Sequence, residues 1–179
     1  MHKFFYLFIV LTLFSSCIGN KSVSKDDLKE PSKGLVVDDA SEGIEEVAKN
    51  FAKAIIDNNS SILKVYKPNV TLARALSAKA TATMTDEQIK EGMLKDLNNT
   101  FERNIENLQK AINDNEIDRA GLTFDSYKLY EANESPLVPR ALEVNLKYNE
   151  DQKHIPITVL KLNSNWYIFE ILNTTTVFN

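Results

Sequence analysis

Apolar and polar positions change rhythm three times along the chain. Phe4 to Phe14 is a run of eleven residues, apolar except for Thr12, preceded by the basic Lys3. From about residue 40 to residue 112 the apolar positions recur at helical spacing. From residue 122 onward they alternate. In the helical region, Ile44, Val47, Ala48, Phe51 and Ile55 lie 3, 1, 3 and 4 residues apart, which places them on one face of a helix. Asp39 with Glu42 reads as an Asp version of the capping box, predicting a start near Asp39. Asp57, Asn58 and Asn59 are turn formers that end it. The stretch SSILKVYKP predicts a second, short helix capped by Ser60 or Ser61 and closed before Pro68. Residues 69 to 83 are rich in Ala and Thr and fit neither period.

Thr85 opens the strongest helical pattern. Thr85-Asp86-Glu87-Gln88 is a capping box. Ile89, Met93, Leu97, Phe101, Ile105, Leu108 and Ile112 then follow at spacings of 4, 4, 4, 4, 3 and 4. Gly92 weakens this helix by about 1 kcal/mol relative to Ala, and the stripe outweighs it. The stripe reads as core, with a partner-binding face as the alternative. Beyond Gly121 the sequence predicts four strands: LTFDSYKLYE, ALEVNLKYN, HIPITVLKL and NWYIFEIL. In the second, Leu142, Val144, Leu146 and Tyr148 alternate with Glu143, Asn145 and Lys147, the signature of a half-buried strand. Asn149-Glu150-Asp151 and Asn163-Ser164-Asn165 predict hairpin turns. Pro156 cannot donate to a ladder, which predicts an edge or a bulge there. Helices followed by an antiparallel meander predict an α+β fold, with helices against one face of a curved four-stranded sheet.

The N-terminal run is too short to span a bilayer, which takes about 20 helical residues. It fits the apolar core of an export signal. Leu13-Phe14-Ser15-Ser16-Cys17 resembles the lipobox of bacterial lipoproteins, with Phe14 where an aliphatic residue is more usual. The resemblance implies cleavage after Ser16 and acylation of Cys17 by several chains, enough for stable anchoring. It predicts a signal peptide over 1–16, a lipidated Cys17 and flexible tether over 17–38, and a domain over 39–179. A tether of that length spans roughly 25 Å root-mean-square.

Composition narrows the chemistry. Cys17 is the sole cysteine, so its acylation removes thiol catalysis, thiolate metal sites and disulfides. His2 leaves with the signal, and His154 is then the sole histidine, which excludes multi-histidine metal sites within one chain. Without Lys3 the chain carries 20 basic against 25 acidic residues, a net charge of −5. That balance argues against nucleic acid as a partner. The sequence lacks GKS/T, GxGxxG, HExxH and GxSxG signatures. Asn113 to Asp118 is rich in oxygens but lacks the Gly and distal Glu of a calcium loop. No cofactor and no metal are expected.

Residues 47 to 66, VAKNFAKAIIDNNSSILKVY, and 154 to 171, HIPITVLKLNSNWYIFEI, resemble the opening helices and closing hairpin of NTF2-like, cystatin-like domains. Secreted lipoproteins of the DUF4878 type, of unknown function, look closest. The helical stretch from 69 to 120 is longer than that pattern. The resemblance implies a conical pocket between sheet and helices. Some members are isomerases or dehydratases, and many only bind or assemble, so fold alone does not settle function.

Three residues are the candidates for chemistry. His154 titrates near neutrality as a type, although a strand-end histidine facing water is the plainer reading. Asp125 and Tyr127, two apart on a strand, would share a face and could serve as base and oxyanion donor of an isomerase. Tyr130 would point the other way. The plainer reading is an aromatic-rich strand whose Asp faces water. The sequence therefore predicts a non-catalytic binding module, held at a bacterial membrane through Cys17. The expected site is the outer membrane, on its periplasmic or surface side. An envelope protein or a small apolar ligand would be its partner. A small-molecule isomerase and a structural envelope component are the alternatives.

Overall fold

A computed structural model describes residues 42–130 and 137–178, which fall in one compact unit, Leu35–Asn179. The expected signal, Cys17, the whole tether and the Asp39 cap lie outside the described residues.

Helix α1 (Ile44–Ile56) begins where Gly43 adopts a left-handed φ of 79°, later than the Asp39–Glu42 pair predicted. Its five predicted face positions are all buried. A 3-10 helix follows over Ser60–Tyr66. Its cap is Asn59, whose side chain accepts from Ser61 N, and not Ser60 or Ser61. The ambiguous stretch then folds as two short helices, α2 (Val70–Leu76), capped by Asn69, and α3 (Ala78–Thr81). The Thr85 capping box forms with both of its hydrogen bonds and starts α4 (Asp86–Ile89). A π-helical turn, Lys90–Leu94, carries the helix into α5 (Lys95–Asp114).

That π turn corrects the predicted stripe. A π turn spends one extra residue per turn. After Ile89 the next buried position is therefore Leu94, five residues on, rather than Met93. Leu97 turns outward at 38% exposure, and the stripe rejoins the core at Phe101, Ile105, Leu108 and Ile112.

The sheet is an antiparallel meander in the order β1-β2-β3-β4, with β1 (Leu122–Leu129), β2 (Arg140–Tyr148), β3 (Asp151–Leu162) and β4 (Asn165–Ile171). The β3–β4 turn places Asn163 (φ 49°) and Ser164 (φ 63°) both left-handed, the arrangement that matches strand twist in two-residue hairpins. Pro156 sits in an interior strand, opposite Glu143 of β2. Its carbonyl accepts from Leu172 N at 2.9 Å, so its donor-less nitrogen faces β4 beyond the last ladder pair, Ile157–Ile171. At Pro156 the β4 side of β3 is thus a local edge, as predicted, and the β3–β4 ladder carries a register shift at Thr158/Val159.

The inner face of the sheet carries Leu142, Val144 and Leu146 from β2 and Ile155, Ile157 and Val159 from β3, all fully buried. Phe51 and Ile55 of α1 and Phe101, Leu108 and Ile112 of α5 close over it as one core. The expected helices-on-one-face arrangement is incomplete. On the outer face, Leu160 and Tyr167 form a second cluster with Leu72 of α2. The chain thus wraps past β4, and α2 covers the β3–β4 end of that face.

Candidate functional site

The outer face of β1, β2 and the start of β3 is left to polar side chains. Its origin is a bulge. Phe124 pairs with Leu146 and Ser126 with Asn145, so Asp125 is an extra residue in β1. A bulge resets the alternation of a strand. Phe124 and Tyr127, three apart, both pack against the inner core, while Asp125 is exposed. Asp125 and Tyr127 therefore do not share a face, and the predicted base–oxyanion pair is not assembled. Beyond the bulge, Ser126 and Tyr130 face outward beside Asn145 and Glu143.

These side chains form a connected series across three strands. Gln152 Nε2 donates to Asp125 Oδ2 at 2.5 Å, and Ser126 Oγ donates to the same oxygen at 2.9 Å. Asn145 Nδ2 donates to Ser126 Oγ at 3.1 Å. His154 Nδ1 lies 2.7 Å from Asn145 Oδ1 and 3.4 Å from Glu143 Oε1. Tyr130 Oη donates to Glu143 Oε2 at 3.3 Å, and Lys128 Nζ sits 4.6 Å from the Tyr130 ring centroid.

Asn145 is the centre of this series. It is only 7% exposed, unusual for an amide on an open strand face, and both ends of its side chain are engaged. Because its nitrogen donates to Ser126, its oxygen is free to accept, and this assigns the hydrogen of neutral His154 to Nδ1. The imidazole side chain is 52% exposed. Ser126 Oγ turns to Asp125 rather than to His154. The geometry is one of mutual hydrogen bonding and orientation, without a nucleophile aligned to a base. Of the predicted residues, Asp125 and His154 are brought into one network, and Tyr127 is not. Asn145, Ser126, Glu143 and Gln152 join it. An Asn inside a strand, a position that residue type disfavours, was the available signal.

An open recess of about 420 Å³ lies elsewhere, between the Asn58–Ser60 turn and the α5 positions Ile105, Glu106, Gln109 and Lys110. Its lining residue Gln109, with nearby Arg119, caps the end of α1. Gln109 Nε2 donates to the carbonyls of Ala54 and Ile55, and Arg119 Nη1 donates to Ile55 O at 2.7 Å. Burial lowers the pKa of Arg119. The oxygen-rich stretch 113–118 is used internally. Asn113 Oδ1 accepts from Arg119, Asp114 pairs with Lys110, and Asp118 caps the Arg119–Gly121 turn. Among the described residues, no group of three or more His, Cys, Asp or Glu is placed to hold a metal ion, and no helix is long and apolar enough to cross a membrane. No known protein family, curated protein or solved structure matches this chain.

Proposed function

We propose that this chain is a lipid-anchored envelope protein whose α+β domain, NTF2-like in its order of elements, is a non-catalytic binding module. In this reading residues 1–16 are an export signal, and acylated Cys17 holds the protein to a bacterial membrane. The stretch 17–38 carries the domain clear of the lipid headgroups. The lipobox-like Leu13-Phe14-Ser15-Ser16-Cys17 supports the anchor. The observation that carries the binding reading is the contrast between the two sheet faces. Apolar side chains from α1 and α5 occupy the space where an enclosed pocket would form. The polar candidates Asp125 and His154 lie on the opposite, open face. An open face of mutually oriented polar groups suits a partner that docks, more than a small substrate that must be shielded from water. The partner is an envelope component presented to the outer face of β1–β3.

The intact mass of protein extracted from its own membrane, beside a Cys17→Ser form, tests the anchor. The expected product begins at residue 17 with added acyl mass, and the serine form lacks that mass. An unmodified chain cleaved elsewhere would overturn the lipoprotein reading.

A further inference from the structure

Residues 42 and 43 are where the N-terminal segment joins the described domain, and they are held by an unusual set of contacts. The indole Nε1–H of Trp166, the single tryptophan of the chain, donates to the carbonyl of Glu42 at 2.8 Å. Lys161, the register partner of Trp166 across the β3–β4 hairpin, places Nζ 3.6 Å from the Glu42 carboxylate and 6.0 Å from the indole centroid. Gly43 has a φ of 79°, and a Cβ there would stand 3.4 Å from Trp166 Nε1. Glycine thus serves both the left-handed turn and the close approach of the indole. Gly43 O then accepts from Val47 N at 3.3 Å, the first turn of α1.

A helix beginning at a chain junction ordinarily frays, because its first amides lack partners and its end has few contacts. Here the junction is tied to a strand pair remote in sequence. Trp166 is itself 5% exposed within the main core. We infer that the Glu42–Gly43 turn and Trp166 form a latch that fixes the start of α1 to the closed end of the β3–β4 hairpin. A displacement of the chain at Glu42 then passes into the sheet before it reaches α1. The latch does not depend on the anchoring of Cys17, and its test leaves that question separate.

Native-state amide exchange on the full chain tests this, with the Val47 amide as reporter because it donates to Gly43 O. Trp166→Phe keeps an aromatic in the core and removes the donor. Gly43→Ala keeps the indole and disturbs the turn. In both variants exchange at Val47 is expected to quicken by about five- to tenfold, the loss of one hydrogen bond, while Val144 and Ile155 in the sheet quicken less. Equal acceleration at Val47, Val144 and Ile155 in both variants would make Trp166 and Gly43 ordinary core-packing positions and would overturn the latch. So would unchanged exchange at Val47 in Gly43→Ala.

Discussion

The two faces of the sheet come from the same four strands and are closed by different means. On the inner face, two long amphipathic helices pack aliphatic and aromatic side chains over Leu142, Val144 and Leu146 of β2 and Ile155, Ile157 and Val159 of β3. On the outer face, a seven-residue helix covers one end, and the other end is a polar network whose members bond to each other. The inner face is specified by periodicity repeated over many residues. The outer face is specified by a few single positions: Leu72, Leu160, Tyr167 and Asn145. The first kind of closure carries the bulk of the stability, because burial of apolar area scales with the number of side chains removed from water. The second kind leaves the outer face of β1–β3 open to solvent.

Substitutions on the two faces should separate them. Phe51→Ala removes a fully buried ring of α1 from the inner core and should cost about 3–5 kcal/mol in urea unfolding. A cost below that of any outer-face truncation would reverse the assignment of the main core. Leu160→Ala empties the centre of the small outer cluster. That cluster can settle around the gap, so about 2 kcal/mol is expected, the low end for such truncations. Hydrogen exchange should rise first in α2 and not in α1. Asn145→Ala leaves Ser126 and His154 without their bridging amide and should cost about 1–2 kcal/mol by thermal unfolding. It should also release the His154 tautomer, read from the ring-nitrogen shifts in NMR. Unchanged shifts would mean that Glu143, and not Asn145, orients the ring.

The elements were legible where their period was unbroken. The five-residue stripe of α1, the Thr85 cap, the alternation of β2 and the two hairpin turns all follow from spacing or turn chemistry. What escaped spacing was each place where one extra residue enters. The π turn moves the buried position from Met93 to Leu94. The bulge at Asp125 puts Phe124 and Tyr127 on one face at a separation of three. A third such step in β4 sets Thr158 opposite Glu170 and Val159 opposite Ile168. A period-based reading carries its phase forward, so one insertion misplaces the positions that follow closely after it. This is why Asp125 and Tyr127 looked like one site in sequence and are not. The cover on the outer face was illegible for another reason. α2 is only about two capped turns, too short for periodicity to register, and the tertiary partners of Leu72, Leu160 and Tyr167, lie far later in the chain.

The smallest expected effect tests whether the π turn is itself required. Gly92 lies inside that turn, is exposed, and an added Cβ would meet nothing within 4 Å. Its φ is not in the left-handed region, so alanine meets no backbone strain there. If the turn is held by its neighbours, with Ile89 and Leu94 locked into the cluster around Ala73, then Gly92→Ala lowers only the entropy of the unfolded chain. Stability should then rise by up to about 1 kcal/mol, read as a higher midpoint in urea at unchanged slope. If the π turn instead exists because glycine permits it, alanine favours a regular α-turn. Met93 would then swing toward the core, Leu94 would be expelled, and the variant would be destabilised. The sign of one midpoint shift therefore decides what places the phase break. Either packing between α2 and α4 imposes it, or the backbone freedom of a single residue does.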